Sequence, residues 1–302
     1  MPMESTDFQP VMILGAAKSG TTSIYTWIDQ HPDICMTHPK EPYFFYTKEF
    51  EYGFDFYVKK YLKRWDGKQR FGEASQRNLY FHHAPERIKA FFPNARFIII
   101  LRDPAARAIS HYWHNFRRKK EYLSFDRCIE EELKRLDKGV QTYLPPRAEL
   151  RHRRFTKYRL GYYRSYLETG HYDEHIERYF KLFDKDRFKI LLFEDMVQDP
   201  ASAMADIFRF CELDDSHRVN INFSPENQSR ALSRSITFWP HRLRNLIYNW
   251  RHYPTLQEKI AGSLQAPVIT RETRDWLNNY FAHHNQRLEM LTELDLSPWA
   301  AP

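Results

Sequence analysis

Short apolar runs alternate with longer stretches of helical periodicity along the 302 residues of this chain. Near-continuous apolar runs are typical of strands that are buried on both faces of a sheet, and ARFIIIL is the clearest example. The pattern predicts five strands, at residues 11–14, 34–36, 71–73, 95–101 and 188–193. It also predicts helices at about residues 20–30, 85–92, 104–116, 201–211 and 271–291.

The order of these elements predicts an α/β fold. Strand, turn and helix repeat at a spacing that favours a central parallel sheet flanked by helices on both faces. Only nine glycines occur, and no Gly/Ser-rich or Pro-rich linker or internal repeat divides the sequence. We therefore predict a single domain over residues 10–302, after a flexible N-terminal tail over residues 1–9. Such sheets bind ligands at the carboxyl ends of their strands, so the loops that follow the strands are the expected site.

The composition excludes several classes of protein. Hydrophobic residues make up 42% of the chain and aromatic residues 16%, which is too much core-forming material for a disordered chain. The apolar runs are far shorter than the about 20 residues that a membrane-spanning helix needs, and the first ten residues do not resemble a signal peptide. Three scattered cysteines and dispersed histidines indicate neither disulfides nor a metal site. We predict a cytoplasmic protein with no membrane span; a lumenal domain separated from its anchor is the alternative.

Basic residues outnumber acidic residues by 46 to 39, and the net charge of +7 permits an anionic ligand. Two regions are especially basic. One is RRKK at residues 117–120, and the other contains Arg147, Arg151, Arg153, Arg154, Lys157, Arg159 and Arg164. A ligand such as an acidic glycan explains both regions, and an ordinary solvated helix surface explains them equally well.

The loop after the first predicted strand has the composition of a phosphate site. It reads GAAKSGTT over residues 15–22. Small residues let the backbone approach an anion, and the helix that follows offers free N–H groups and the positive end of its dipole. The loop is not a Walker A motif, because its lysine precedes the second glycine. A tight turn with a solvated lysine is the alternative. The predicted anion contacts are Lys18, Ser19, Gly20, Thr21 and Thr22.

Three further segments follow later strands: KEPYFF at residues 40–45, GEAS at 72–75 and LRDPAARAISHY at 101–112. Together with the lysine loop, they resemble sulfotransferases that use 3′-phosphoadenosine 5′-phosphosulfate (PAPS), in particular the branch of heparan sulfate and many bacterial carbohydrate sulfotransferases. The resemblance implies a P-loop-like loop in which Lys18 holds the 5′-phosphosulfate. It also implies that Arg102 and Ser110 hold the 3′-phosphate, because the family places a serine eight residues after this arginine.

The resemblance implies further site residues. Tyr172 lies in GHYDEHI, which is similar to the family's small-x-Tyr segment near the nucleotide, although core packing explains this tyrosine equally well. Arg230 and Arg234 lie in ENQSRALSRS, which is similar to the late loop that closes over the nucleotide. Glu41 aligns with the glutamate that serves as the base in the heparan-type enzymes. His38 is the alternative base, because the cytosolic branch uses a histidine.

One departure from the family pattern concerns the third segment. The heparan-type enzymes carry Lys-Thr-Pro after its glutamate, whereas Glu73 is followed here by Ala74, Ser75 and Gln76. The loss of this lysine removes a cation from the sulfate pocket, which argues against a heparan-like substrate. Arg77 is a candidate replacement for the lysine.

These features predict an enzyme that transfers the sulfuryl group of PAPS in line to a hydroxyl of a carbohydrate or another small molecule and releases adenosine 3′,5′-bisphosphate (PAP). Lys18 would act at the leaving phosphate and Glu41 as the base. The acceptor is a hydroxyl compound, with an anionic glycan as one candidate, and no nucleic-acid partner is expected. Two alternatives stay open: a P-loop nucleotide kinase or phosphotransferase, and a nucleic-acid-binding protein with a basic, aromatic-rich surface.

Overall fold

The computed structural model describes residues 5–67, 70–118, 120–121, 123–139, 164–223 and 268–299. Five strands form one sheet in the order β2-β3-β1-β4-β5, and each neighbouring pair is parallel. This confirms the predicted α/β fold with a central parallel sheet. The strands are β1 (Val11–Gly15), β2 (Ile34–Met36), β3 (Arg70–Ala74), β4 (Arg96–Leu101) and β5 (Phe188–Leu192).

Ten helices occur in the described ranges, and α1, α4, α5, α9 and α10 match predicted helices to within about two residues at each end. The other five are not predicted by the pattern; α2, α3 and α8 are only 9, 4 and 6 residues long, too short to carry a clear period of their own. Among the described residues, no helix has the length and apolar character to cross a membrane. The helices are α1 (Thr21–Ile28), α2 (Gly53–Tyr61), α3 (Arg77–Tyr80), α4 (Ala84–Phe91), α5 (Pro104–Arg117), α6 (Phe125–Asp137), α7 (Tyr172–Phe180), α8 (Phe193–Gln198), α9 (Pro200–Phe210) and α10 (Arg271–Thr292).

The strand side chains alternate between two cores, as expected for a sheet that is covered on both faces. In β4, Phe97 and Ile99 face a large aromatic core, whereas Ile98 and Ile100 face a smaller, mainly aliphatic core. Segments around α2 and α4 supply much of the aromatic core, and α1 and α9 supply much of the aliphatic core. Because apolar side chains are buried on both sides, the sheet forms a rigid base for the loops at its edge.

The N-terminal segment reaches the aromatic core. Residues Ser5–Asp7 form a short 3₁₀ helix. The ring of Phe8 then packs against Phe54, Trp65 and Phe71, with centroid distances of 5.2, 5.2 and 5.7 Å. The described end of the predicted tail is therefore packed against the aromatic core, while the domain boundary at residue 10 stays a prediction.

Backbone hydrogen bonds tie the loops together at the carboxyl edge of the sheet. The Ser75 N–H after β3 donates to the carbonyl of Ile13 in β1 at 3.2 Å, and the Ala16 N–H after β1 donates to Ile100 in β4 at 2.7 Å. The Glu41 N–H, in the loop after β2, donates to Ala74 at 3.0 Å. The four loops that the sequence singles out therefore lie side by side, as expected for a parallel sheet.

Arg164 does not belong with the surface cations of the basic region. It is 7% exposed, and its guanidinium donates two hydrogen bonds of 2.8 Å to the buried Glu121 carboxylate and one of 2.8 Å to Glu131. Arg164 is therefore part of a buried ion-pair network, which corrects its inclusion among the candidate anion contacts. The other six cations of that region lie outside the described residues.

Replacement of Arg164 by alanine is expected to lower the free energy of unfolding by about 3–5 kcal/mol, because it leaves the Glu121 carboxylate buried without its cation. Urea unfolding measures the loss. The matched control is Arg127→Ala, which removes the exposed ion pair of Arg127 with Glu130 and should change stability by less than about 0.5 kcal/mol. Equal, small losses in both variants would contradict the buried-pair assignment.

Candidate active site

The β1–α1 loop ends in a helix N-terminus without a side-chain cap. Gly20 is the N-cap residue of α1, and no side chain accepts from the first N–H groups of the helix. Gly20 has φ 80°, and a Cβ there would lie 2.7 Å from the Met196 side chain, so glycine is required by both conformation and space. The Ser19 hydroxyl is buried without a hydrogen-bond partner. The loop therefore presents donors suited to an anion.

Lys18 lies at the centre of this loop in the left-handed conformation, with φ 72°. Its ammonium Nζ is 3.2 Å from Nδ1 of His114 on α5. Burial lowers the pKa of this ammonium to about 8, with smaller contributions from Arg117, Arg118 and Arg102. Burial, followed by the charge of Lys18, lowers the pKa of His114 to about 4. Near pH 7 the lysine is therefore charged and the imidazole neutral, so the ammonium donates to the ring nitrogen.

Arg102 joins the lysine loop from the end of β4. Its Nη1 donates to the carbonyl of Lys18 at 3.4 Å, and its guanidinium lies 4.9 Å from the centroid of the Phe193 ring. Its Nε is buried without a hydrogen-bond partner. Asp103 caps α5 by accepting from the N–H groups of Ala105 and Ala106 at 3.1 Å each, and this helix carries Ser110. The Arg102 guanidinium thus contacts the backbone of the loop that carries Lys18, so the two residues that the sequence assigns to opposite ends of one ligand lie in adjoining loops.

Tyrosine hydroxyls of α7 and α3 form hydrogen bonds with the backbone around the site. The Tyr172 hydroxyl donates to the carbonyl of Arg102 at 3.0 Å, and the Tyr179 hydroxyl donates to the carbonyl of Asn78 at 2.7 Å. The Tyr80 hydroxyl, at the end of α3, accepts from the Ala17 N–H of the lysine loop at 2.6 Å. Tyr172 is only 1% exposed, so the structure gives this predicted nucleotide contact a role in holding the backbone of Arg102.

Glu41 lies in the loop after β2, with φ 60°. Its carboxylate accepts from the Tyr43 hydroxyl at 3.0 Å and is 3.5 Å from the Lys40 ammonium. The Arg77 guanidinium stacks over the Tyr43 ring at 4.8 Å from its centroid. The side chain of the alternative base, His38, is exposed. The structure therefore places Glu41 in a polar group that includes the candidate replacement for the absent lysine.

Glu73, at the end of β3, is buried and held by hydrogen bonds from neighbouring side chains. It is 1% exposed and accepts from the Tyr57 hydroxyl at 2.7 Å and from the Asn78 amide at 3.0 Å. Burial raises the pKa of its carboxyl group. These contacts anchor the third loop and engage both carboxylate oxygens of Glu73.

His114 is the site residue that the sequence reasoning missed. It follows Ser110 by four residues on α5, and residues four apart lie on the same face of a helix. That spacing was the available signal. The predicted late-loop contacts, Arg230 and Arg234, lie outside the described residues.

The fold and the loop define an α/β domain with a P-loop-like loop at the carboxyl edge of a parallel sheet. A family model described as the sulfotransferase domain matches residues 8–266. The chain belongs to the sulfotransferase family. This confirms the family that the motifs indicated, and it does not favour the kinase or nucleic-acid-binding alternatives.

Curated relatives include two heparan sulfate enzymes of Mus musculus. Bifunctional heparan sulfate N-deacetylase/N-sulfotransferase 4 is 25% identical over 292 residues, which cover 93% of this chain and 29% of that protein. Heparan sulfate glucosamine 3-O-sulfotransferase 5 is 23% identical over 286 residues, which cover 93% of this chain and 71% of that protein. This chain therefore spans less than a third of the length of the first of these relatives.

Among solved structures, a sulfotransferase from Alicyclobacillus acidocaldarius matches with a TM-score of 0.66 and 24% identity. The match covers 97% of this chain and 99% of that chain. The likeness supports the α/β fold described above.

Proposed function

We propose that this chain transfers the sulfuryl group of PAPS to a hydroxyl of an acceptor and releases PAP. The contact between Arg102 and the backbone of Lys18 carries the proposal, because it joins cations from two loops that are 84 positions apart in sequence. A donor with a 5′-phosphosulfate and a 3′-phosphate needs cations from both loops. The unpaired, buried Ser19 hydroxyl and Arg102 Nε also fit an anionic group.

On the donor side, the lysine loop would neutralise the leaving phosphate. Sulfuryl transfer should resemble phosphoryl transfer, in which the transition state is loose and the leaving oxygen gains charge. The Lys18 ammonium and the uncapped N–H groups of α1 are held in place beforehand, so they stabilise this charge without reorganising. Neutral His114 accepts a hydrogen bond from one N–H of the Lys18 ammonium. The other N–H groups of the ammonium stay available for the anion.

On the acceptor side, we assign Glu41 as the general base. A new S–O bond forms at the acceptor oxygen while the S–O bond to the leaving phosphate breaks, and the acceptor proton passes to the Glu41 carboxylate. The hydrogen bond from Tyr43 and the ion pair with Lys40 orient this carboxylate. The bond from the Glu41 N–H to Ala74 fixes its backbone to the end of β3.

We further propose an anionic glycan as the acceptor. Arg117 and Arg118 are exposed, and both lie close enough to lower the pKa of Lys18. Arg77, stacked on Tyr43 beside the proposed base, supplies a cation where the heparan-type lysine is absent. Two relatives named for heparan sulfate support a glycan over a phenol or a steroid.

Isothermal titration calorimetry with PAP tests the donor site. We expect one PAP per chain, with binding that weakens in the Lys18→Ala and Arg102→Ala variants. A nucleic-acid-binding surface would instead bind oligonucleotides with an affinity that falls steeply with salt. Absence of PAP binding together with Mg²⁺-dependent ATP turnover would favour the kinase alternative. Transfer of radiolabelled sulfate to a panel of hydroxyl-bearing and amine-bearing glycans, sulfated and neutral, then tests the acceptor class.

The lowered pKa of Lys18 predicts a basic limb in the pH dependence of donor binding. The ammonium is charged below its pKa of about 8 and loses its proton above that pH, so the anion loses its cation there. The PAP association constant, and kcat/KM for PAPS, should therefore fall progressively above about pH 8, since kcat/KM reports groups of the free enzyme. Calorimetry between pH 6.5 and 9.5 measures the limb.

Two variants connect this limb to Lys18. In Lys18→Arg the limb should disappear, because a guanidinium stays protonated throughout this range. In the Arg117→Gln/Arg118→Gln double variant it should move to higher pH, because two cations that lower the pKa of Lys18 are removed. The exposed Lys181→Gln substitution is the control and should leave the limb in place. A limb that persists in Lys18→Arg would assign it to another group.

A further inference from the structure

A cluster of metal-ligating side chains lies where the start of α7 meets α10, outside the candidate active site. It consists of His171, Glu174 and His284, and one potential ligand atom of each lies within 4.8 Å of the others. The two imidazole rings are stacked, with centroids 3.9 Å apart and planes 11° apart. His171 and His284 are largely buried, whereas the Glu174 side chain is 48% exposed. The Glu174 side chain is therefore the most accessible of the three to a metal ion.

Each histidine has one ring nitrogen engaged by a neighbouring group. Nε2 of His171 is 2.9 Å from the Tyr280 hydroxyl, and Nδ1 of His284 is 2.9 Å from the Asp173 carboxylate. Arg287 holds the second oxygen of Asp173 at 3.0 Å. The other nitrogens, Nδ1 of His171 and Nε2 of His284, are therefore left as ligands. Nδ1 of His171 is 3.8 Å from the Glu174 carboxylate.

We propose that His171, Glu174 and His284 form a binding site for a divalent transition metal of the zinc class. Two imidazoles and one carboxylate are a ligand set that Zn²⁺ accepts, with water in the fourth position. Metal-bound histidines usually donate their second N–H to a carboxylate or another acceptor, which fixes the ring. Asp173 does this for His284, and the Tyr280 hydroxyl does so for His171.

Binding requires the cluster to contract and the two imidazole rings to unstack. Metal–nitrogen distances of about 2.0–2.1 Å place the ligand atoms of a tetrahedral site about 3.3 Å apart. The two rings lie in nearly parallel planes, so one ring must also tilt out of the stack, about its hydrogen bond to Asp173 or Tyr280. The exposed Glu174 side chain then closes on the ion. The bound ion would link α10 to α7, whose first residue, Tyr172, holds the backbone of Arg102. Sequence reasoning expects no metal here because Asp173 and His284 are 111 positions apart.

Calorimetric titration of tag-free, chelator-treated protein with Zn²⁺ tests the site, with Co²⁺ absorption reporting the coordination geometry. We expect one ion per chain, tetrahedral Co²⁺ bands, and a melting temperature that rises by about 5 °C at a hundredfold excess of Zn²⁺ over the dissociation constant. His284→Ala should lower the affinity at least about 100-fold. Glu174→Gln changes an exposed side chain and so tests the site with little risk to folding; it should lower the affinity at least about 10-fold.

The matched control is His283→Ala. His283 is exposed and adjacent to His284 on α10, and its loss should leave the affinity unchanged. Loss of binding in His283→Ala, or wild-type affinity in both Glu174→Gln and His284→Ala, would overturn the proposal. So would a wild-type chain that binds no Zn²⁺. PAP binding, measured on the same variants, should persist in Glu174→Gln, which separates this site from the donor site.

Discussion

Replacement of Lys18 by alanine should lower kcat/KM for PAPS by roughly 10²–10³, the scale on which a single preorganised electrostatic contact acts. The reason is local: Lys18 is the one cation in residues 15–22, the loop that leads into the uncapped start of α1. Burial, the largest cause of the low His114 pKa, remains in the variant, as do Arg117 and Arg118, so His114 does not replace the lost charge near pH 7. Single-turnover transfer of radiolabelled sulfate measures the loss.

The control for Lys18→Ala is Lys181→Ala, which removes an exposed lysine on the far end of α7 and should leave transfer unchanged. Lys18→Arg keeps the charge but not the compact ammonium, so intermediate activity is expected. Activity of Lys18→Ala within threefold of wild type would remove Lys18 from the donor side of the reaction.

Replacement of Glu41 by glutamine should lower kcat by roughly 10²–10⁴, the range for loss of a positioned general base. The substitution keeps the shape of the side chain and its ability to accept from Tyr43, but an amide cannot take the acceptor proton. The PAP dissociation constant should stay within about twofold of wild type, because the assigned donor contacts lie in other loops. Steady-state transfer assays and PAP calorimetry on one preparation measure both quantities.

Two further variants separate Glu41 from its rivals. His38→Ala tests the alternative base and should keep most of the activity, because the His38 side chain is exposed and Glu41 would still be present. Glu51→Gln changes an exposed carboxylate near α2 and serves as the control. Full activity in Glu41→Gln, or a large loss in His38→Ala alone, would transfer the role of base to another residue.

Backbone conformation supports the location of the site. Five non-glycine residues in the described part of the chain have positive φ, and Lys18, Glu41 and Tyr43 are three of them. Such conformations cost about 1–3 kcal/mol each and persist where the surroundings hold them. Here the hydrogen bond from Arg102 to Lys18 and the bond from Glu41 to Ala74 do so. Their concentration in two loops at one sheet edge is typical of functional sites.

The sequence by itself determined the sheet and the order of the loops. Strands such as β4 are near-continuous apolar runs, and burial on both faces makes that pattern readable without knowledge of the neighbours. The small residues and lysine of the first loop lie next to one another in the chain, so their chemistry was also readable. The family match confirms what these local patterns indicated.

The tertiary structure decided which side chains meet. The bond between Lys18 and His114 spans 96 positions, and that between Tyr172 and Arg102 spans 70. Arg164 looked like one more surface cation until packing placed it against Glu121, and His284 looked isolated until α10 brought it onto α7. Burial, pairing and the resulting pKa shifts depend on the neighbours that the folded sheet and helices supply, and a single sequence does not contain those neighbours in any local pattern.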